Sequence, residues 1–277
     1  MSSSQIDPEP QSSGPEALPF AAPCAVLDTT APLRWFALGW RDFMRAPRTS
    51  LYYGGFLVLV SYLLTYATWK LGGYVLILSL ASGFVFVAPV LALGLYSISC
   101  QLERDLKPQI GYCLREGRRH LGDELVFSAI LLIVALVWAR AASMVHVFFP
   151  MESGAGLREM LVFLVIGTGV GAIFTAVVFS ASAFSLPMML DRKVDTVTAV
   201  VTSVHAVLQN KLAMLVWATI VGLSLLVSFA TAFLGLAVLM PVLGYATWHG
   251  YRETIHAQAW PENTRLPLVE RPESEPH

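Results

Sequence analysis

The feature that most constrains this chain is a series of six apolar stretches, each almost free of charge and each about as long as a bilayer is thick. A hydrocarbon core about 30 Å thick takes roughly 20 helical residues at a rise of 1.5 Å each. The stretches run near 51–69, 73–99, 125–149, 160–190, 212–230 and 232–249. The last two share one apolar run, and Gly235 near their join offers a tight turn. Inside lipid every backbone N–H and C=O needs a partner in its own segment, so such stretches fold as helices. The expected fold is therefore all-α, a polytopic bundle of six transmembrane helices. Composition agrees: 13% of residues are charged, against about 25% in soluble domains.

The charges fix an expected orientation. Arg34, Arg41, Arg45 and Arg48 precede the first stretch, and Arg104, Lys107, Arg115, Arg118 and Arg119 follow the second. Arg192, Lys193 and Lys211 follow the fourth, and Arg252 follows the sixth. The opposite connections carry only Lys70 and Arg158. Short cytoplasmic loops are enriched in Lys and Arg, so both termini are expected in the cytoplasm. Residues 1–31 have no basic start and no apolar h-region, which argues against a secretory signal. They are rich in Ser, Pro and acids and read as a disordered tail, as do residues 257–277; the membrane domain is expected over 32–256. Cys24, Cys100 and Cys113 form no C-x-x-C pair.

The basic stretches share a helical pattern. Leu33, Phe36, Ala37, Trp40, Phe43 and Met44 fall on one face of a helix, and Val197, Val200, Val201, Val204, Val207 and Leu208 repeat the same offsets. Ile110, Cys113, Leu114, Gly117 and Leu121 give a third, partial copy. Each is expected to lie in the interface. Trp40, Arg41, Arg45, Arg48, Arg115, Arg118, Arg119, Arg192 and Lys193 are the expected anchors, their charges meeting anionic lipid head groups. The second span of each pair carries a proline, Pro89, Pro187 and Pro241, and ends in a charged run: QLERD, DRKVD and HGYRE. The expected architecture is a pseudo-threefold repeat of amphipathic interfacial helix, span and proline-bearing span. The prolines are either packing kinks or the walls of a shared cavity.

Few residues suggest chemistry. Arg140 is the one charge well inside a span, about 22 Å along its helix from Leu125. It is either a snorkelling anchor near Trp138 or a cavity or ion-pair residue, with Glu152 and Glu159 as candidate partners. His146 lies near the outer face. His120, His205 and His249 would meet only if a threefold bundle joined their loops; solvated interfacial histidines are expected instead. No cofactor, metal site or nucleic-acid surface is expected. Gly167, Gly169 and Gly171 allow close helix approach, to an internal partner or a second subunit. Walker A, zincin and nucleophile-elbow patterns are absent.

Three segments carry a resemblance: FALGWRDFMRAPRTSLYYG, PVLALGLYSISCQLERD, and LPMMLDRKVDTVTAVVTSVHAVLQNK with the later PVLGYATWHGYRE. From about Leu33 to Arg252 the chain resembles a bacterial family of predicted integral membrane proteins known as domain of unknown function 2189. The resemblance implies a bacterial inner-membrane protein. Some relatives carry the label cytochrome c oxidase subunit I, but this chain lacks the intramembrane histidine ligands of that role. The expected function is non-enzymatic: a scaffold, assembly or regulatory component of a membrane complex, with a membrane-protein partner or a homo-oligomer. The alternative is a small-solute transporter or channel built from three hairpins. A membrane enzyme has the least support.

Overall fold

The computed structural model describes residues 19–71, 74–109, 121–148 and 156–263. The middle amphipathic segment, with Arg115, Arg118 and Arg119, lies outside the described residues, as does the side chain of His146. The described regular structure is helical: α1 (Ala31–Arg45), α2 (Pro47–Leu71), α3 (Tyr74–Glu103), α4 (Leu121–Phe148), α5 (Leu157–Ser182), α6 (Ser185–Asp191), α7 (Thr196–Gln209), α8 (Lys211–Ala230) and α9 (Leu236–Thr254). Among the described residues four segments are long and apolar enough to cross a membrane: 47–70, 125–145, 157–191 and 211–230. α3 and α9 cover the second and sixth stretches read from the sequence.

The prolines act on the backbone as their chemistry requires. Proline has no N–H, and its ring pushes against the carbonyl four residues back. Pro187 stands four residues after Ala183, and the helix breaks there, between α5 and α6. Nearby carbonyls find hydroxyl partners: Ser203 donates to the Ser180 carbonyl at 2.7 Å, and Ser185 donates to that of Ala181. The Phe184 N–H donates to Ser203 Oγ at 3.1 Å. Pro241 leaves α9 unbroken. The carbonyl it frees belongs to Ala237, and α2 comes so close to that carbonyl at Gly54 that a Cβ would collide with it. The turn between α8 and α9 uses Ala232 and Phe233 at φ 49° and 68°; Gly235, expected to make it, has φ −59° and begins α9 instead.

Burial is concentrated at one end, where the charged segments gather; we call it the basic end. Trp35, Phe184, Met188, Leu190, Trp248 and Tyr251 are almost fully buried there. Trp35 enters from α1 and packs edge-on against Phe184 at 6.1 Å and Trp217 at 5.8 Å. Away from this end the long helices expose Leu, Val, Ile and Phe, and α5 buries no residue. A helix apolar all round and left uncovered is matched to lipid rather than to water.

The tails depart from expectation. Residues 19–30 and 257–263, read as parts of disordered tails, are tied to the helices. Ala25 N–H donates to the Thr254 carbonyl (2.8 Å), His256 N–H to that of Pro23 (2.9 Å) and Leu27 N–H to Asn210 Oδ1 (2.7 Å). Asn263 N–H donates to the Asp191 carbonyl at 2.8 Å and its side chain donates to that of Met189 at 3.0 Å. The last carbonyls of a helix lack intrahelical donors. These two straps supply them to α6 and α9, a role composition alone does not reveal.

Candidate functional site: the polar network at the basic end

The charged runs that close α3, α6 and α9 converge. Arg252 reaches Glu103 Oε1 with Nε at 3.3 Å and Asp191 Oδ2 with Nη1 at 3.6 Å. Trp248 Nε1 donates to Glu103 Oε2 at 2.9 Å, and the Tyr251 hydroxyl donates to Asp191 Oδ2 at 2.8 Å. Arg192 Nε donates to the same oxygen at 3.0 Å. Acidic groups at helix C-termini face the negative end of the helix dipole. Glu103 and Asp191 both sit there, so each needs the cations it has. Burial, together with the Asp191 charge, pushes the Tyr251 phenol far above its ordinary range.

On the α1 side, Asp42 is buried at 1% exposure. Its Oδ2 accepts from Ser99 Oγ of α3 at 2.8 Å and from His249 Nε2 of α9 at 2.8 Å. Nε2 is the ring nitrogen that faces this carboxylate. Next to it, Glu253 takes Arg34 Nη2 at 2.6 Å and Trp35 Nε1 at 2.9 Å. Trp248, His249, Tyr251, Arg252 and Glu253 thus link α9 to α1, α3 and α6. The hydroxyls of Ser99 and Tyr251 are spent as donors to carboxylates, which is the work of a structural clamp. Among the described residues no group of three or more His, Cys, Asp or Glu could hold a metal ion.

A family model described as "Predicted integral membrane protein (DUF2189)" matches residues 76–191. This is the family the sequence resembles. The match covers α3 to α6, with Glu103 and Asp191, and is narrower than the resemblance read from Leu33 to Arg252. No curated protein and no solved structure matches the chain. The DUF2189 description and the long apolar helices agree that this is an integral membrane protein.

The expected anchors divide. Trp40 is 46% exposed and stacks on Phe43 with ring centroids 5.8 Å apart; Arg41 and Arg48 are exposed. Arg45 is half-exposed and pairs with Asp105 at 2.8 Å, with Asp42 farther off at 3.9 Å. Lys193 is exposed, and its N–H donates to the Pro261 carbonyl. Arg192 corrects the expectation. Its side chain is 11% exposed, donates to the Trp260 carbonyl at 3.1 Å and pairs with Glu262 at 3.7 Å, so it clasps the C-terminal strap. His249 is also a correction: its side chain, 15% exposed, is a half-buried link to Asp42, not a solvated interfacial group.

Arg140 is exposed on α4, and Glu159, one candidate partner, instead accepts from the Gly156 N–H at 3.0 Å. Pro89, Pro187 and Pro241 are all buried. A cavity of 280 Å³ lies between α3 and α9 next to Pro89 and Pro241; its lining is apolar apart from Tyr96 and Thr247. α6, which holds Pro187, contributes nothing to that lining. Nothing lies within 4 Å of a Cβ built on Gly167, Gly169 or Gly171, so no described part of the chain packs against them. The Asp42–Ser99–His249 cluster went unread. Its one sequence signal is an acid set off the arginine stripe of its own helix.

Proposed function

We propose that this protein is a non-enzymatic scaffold, assembly or regulatory component of a membrane complex in the bacterial inner membrane, with both termini cytoplasmic. In this reading α3 and α9 complete six spans, and three copies of interfacial helix, span and proline-bearing span form a pseudo-threefold unit. The carrying observation is the clamp at the basic end. Its acids, cations and hydroxyls bind one another across α1, α3, α6 and α9, while the long apolar helices beyond it stay uncovered. A rigid centre with free apolar arms suits a protein that holds others.

Further support comes from α1 and α7. α1 packs Trp35, Gly39, Asp42 and Phe43 inward and turns Leu33, Trp40 and Met44 outward. Its arginines Arg34, Arg41 and Arg45 lie between the two faces. α7 buries Thr198, Ala199, Thr202, Ser203 and Ala206 and exposes Val197 and Leu208. An outward apolar stripe flanked by cations suits a helix lying on anionic lipid head groups. The transporter reading calls for a polar, water-reaching path, and the cavity beside Pro89 and Pro241 is apolar.

The test is purification of the full chain from native membranes in mild detergent, with partners identified and an optical spectrum taken. A defined membrane complex should co-purify. A partner-free preparation that moves a small solute across reconstituted vesicles refutes the scaffold reading.

A further inference from the structure

We propose that the groove between α5 and α8 binds an anionic phospholipid from the leaflet at the basic end, with an acyl chain along the groove and its phosphate at Lys211. The groove has a volume of 730 Å³ and is lined by small residues, including Gly171, Ala172 and Ala176 of α5 and Ala218 and Gly222 of α8. Nothing lies within 4 Å of a Cβ built on Gly171 or Gly222, so the two helices do not close on each other. An unfilled gap forfeits dispersion contacts on both walls, and in a bilayer the ready filler is a hydrocarbon chain.

Its length selects the filler. The α5 wall runs from Thr168 to Ser180, about 18 Å at the helical rise. That is close to one leaflet, half of a hydrocarbon core about 30 Å thick. An acyl chain of one leaflet fills a groove of that length without crossing the bilayer midplane.

The end of the groove selects the head group. A second pocket of 370 Å³ shares Leu208 and Lys211 with the groove and adds polar groups of Thr29, Gln209 and Asn210. No acidic residue lines either space. Lys211 is also the first residue of α8, and no side chain caps that helix. The Asn210 carboxamide, which stands at the cap position, accepts from Leu27 N–H and donates to the Ala25 carbonyl. A lysine beside uncapped first-turn N–H groups complements a phosphate. One lysine near a membrane surface gives about fivefold preference for an anionic over a neutral lipid.

The proposal rests on the membrane setting but not on the scaffold role, so loss of partners on purification leaves it standing. The full chain is stripped of lipid in detergent, offered equal phosphatidylglycerol and phosphatidylcholine, and weighed by native mass spectrometry. Wild type should retain phosphatidylglycerol about fivefold over phosphatidylcholine. Lys211→Gln should bring that ratio to about one. Gly222→Leu, which fills the groove, should lower retention of both lipids. Thr175→Leu serves as a second filler if Gly222→Leu elutes as aggregate. Unchanged retention in a folded filler variant overturns the proposal. So does selectivity that survives Lys211→Gln, or a dimer that the filler splits, which would assign the groove to a second copy.

Discussion

Asp42 offers the sharpest test of the clamp. The side chain is 2% exposed and accepts from Ser99 and His249 at 2.8 Å each. Replacement by alanine removes two hydrogen bonds to a charged group, each contributing roughly 1.5–3 kcal/mol. Two effects reduce the loss. His249, 15% exposed, can turn its ring nitrogen to water, and the Ser99 hydroxyl can turn to the carbonyl one helical turn back. The expected cost of Asp42→Ala is therefore near the low end, about 3 kcal/mol. For a chain of this size that lowers the melting temperature by about 6–12 °C. Asp42→Asn keeps an acceptor oxygen for one partner and should fall by about half as much. The assay is thermal unfolding followed by tryptophan fluorescence in one detergent, with the exposed Arg41→Ala as control. His249→Ala made on top of Asp42→Ala should cost less than His249→Ala alone, because the pair is already broken. A shift below about 2 °C for Asp42→Ala, or full additivity with His249→Ala, would refute the argument that this contact holds α1 to α9.

A Cβ on Gly39 would lie 2.5 Å from the Val242 carbonyl oxygen and 2.8 Å from Ala246 N, both backbone atoms of α9. Gly39→Val should cost about 3 kcal/mol, read as a lower melting temperature in the same fluorescence assay, with Gly55→Val, where nothing lies within 4 Å, as the tolerated control. Asp195 caps α7, its carboxylate accepting from Thr198 N–H at 3.0 Å, and hydrogen bonds from Thr198 hold its carboxyl below the ordinary range. The folded pKa is depressed, so this contribution is present above the unfolded value near about 4 and lost as pH falls through the folded value; Asp195→Ala should cost about 1 kcal/mol at neutral pH, with the gap to wild type closing at acid pH. Arg192→Ala removes the contacts to Trp260 and Glu262. It should make the strap over residues 257–263 the first site of limited proteolysis, while wild type resists there.

The helices were legible because apolar length and turn chemistry act locally. The three charged endings were legible as charged runs, and Glu103, Asp191 and Arg252, one from each, do meet. The inward faces were not legible. In a soluble helix the apolar stripe points to the core. In α1 the expected stripe divides: Leu33, Trp40 and Met44 are exposed, while Phe43 is buried and Phe36 packs against the core on the side of Trp35, Gly39 and Asp42. In α7 the packed face is mostly Thr, Ser and Ala, joined by Val207. In both helices small and polar residues share the packed face with apolar ones, so hydropathy alone does not mark it. The straps were missed for a related reason. Their Ser, Pro and acid content resembles disorder, yet their ordering depends on unpaired helix carbonyls far away in sequence, such as those of Asp191 and Thr254.

The same physics accounts for where the core sits. Between helices in lipid there is little hydrophobic drive, because acyl chains are as apolar as leucine. At the water-facing end the drive returns, and charge pairs gain from the partial burial that Arg252 and Asp191 provide. Trp35 joins the two effects in one side chain, with its rings against Phe184 and Trp217 and its N–H on Glu253. A structure fixed in this way at one end leaves the surfaces of α4, α5 and α8 uncommitted along most of their length. Lipids or partners can then engage those surfaces without working against the contacts that hold the fold.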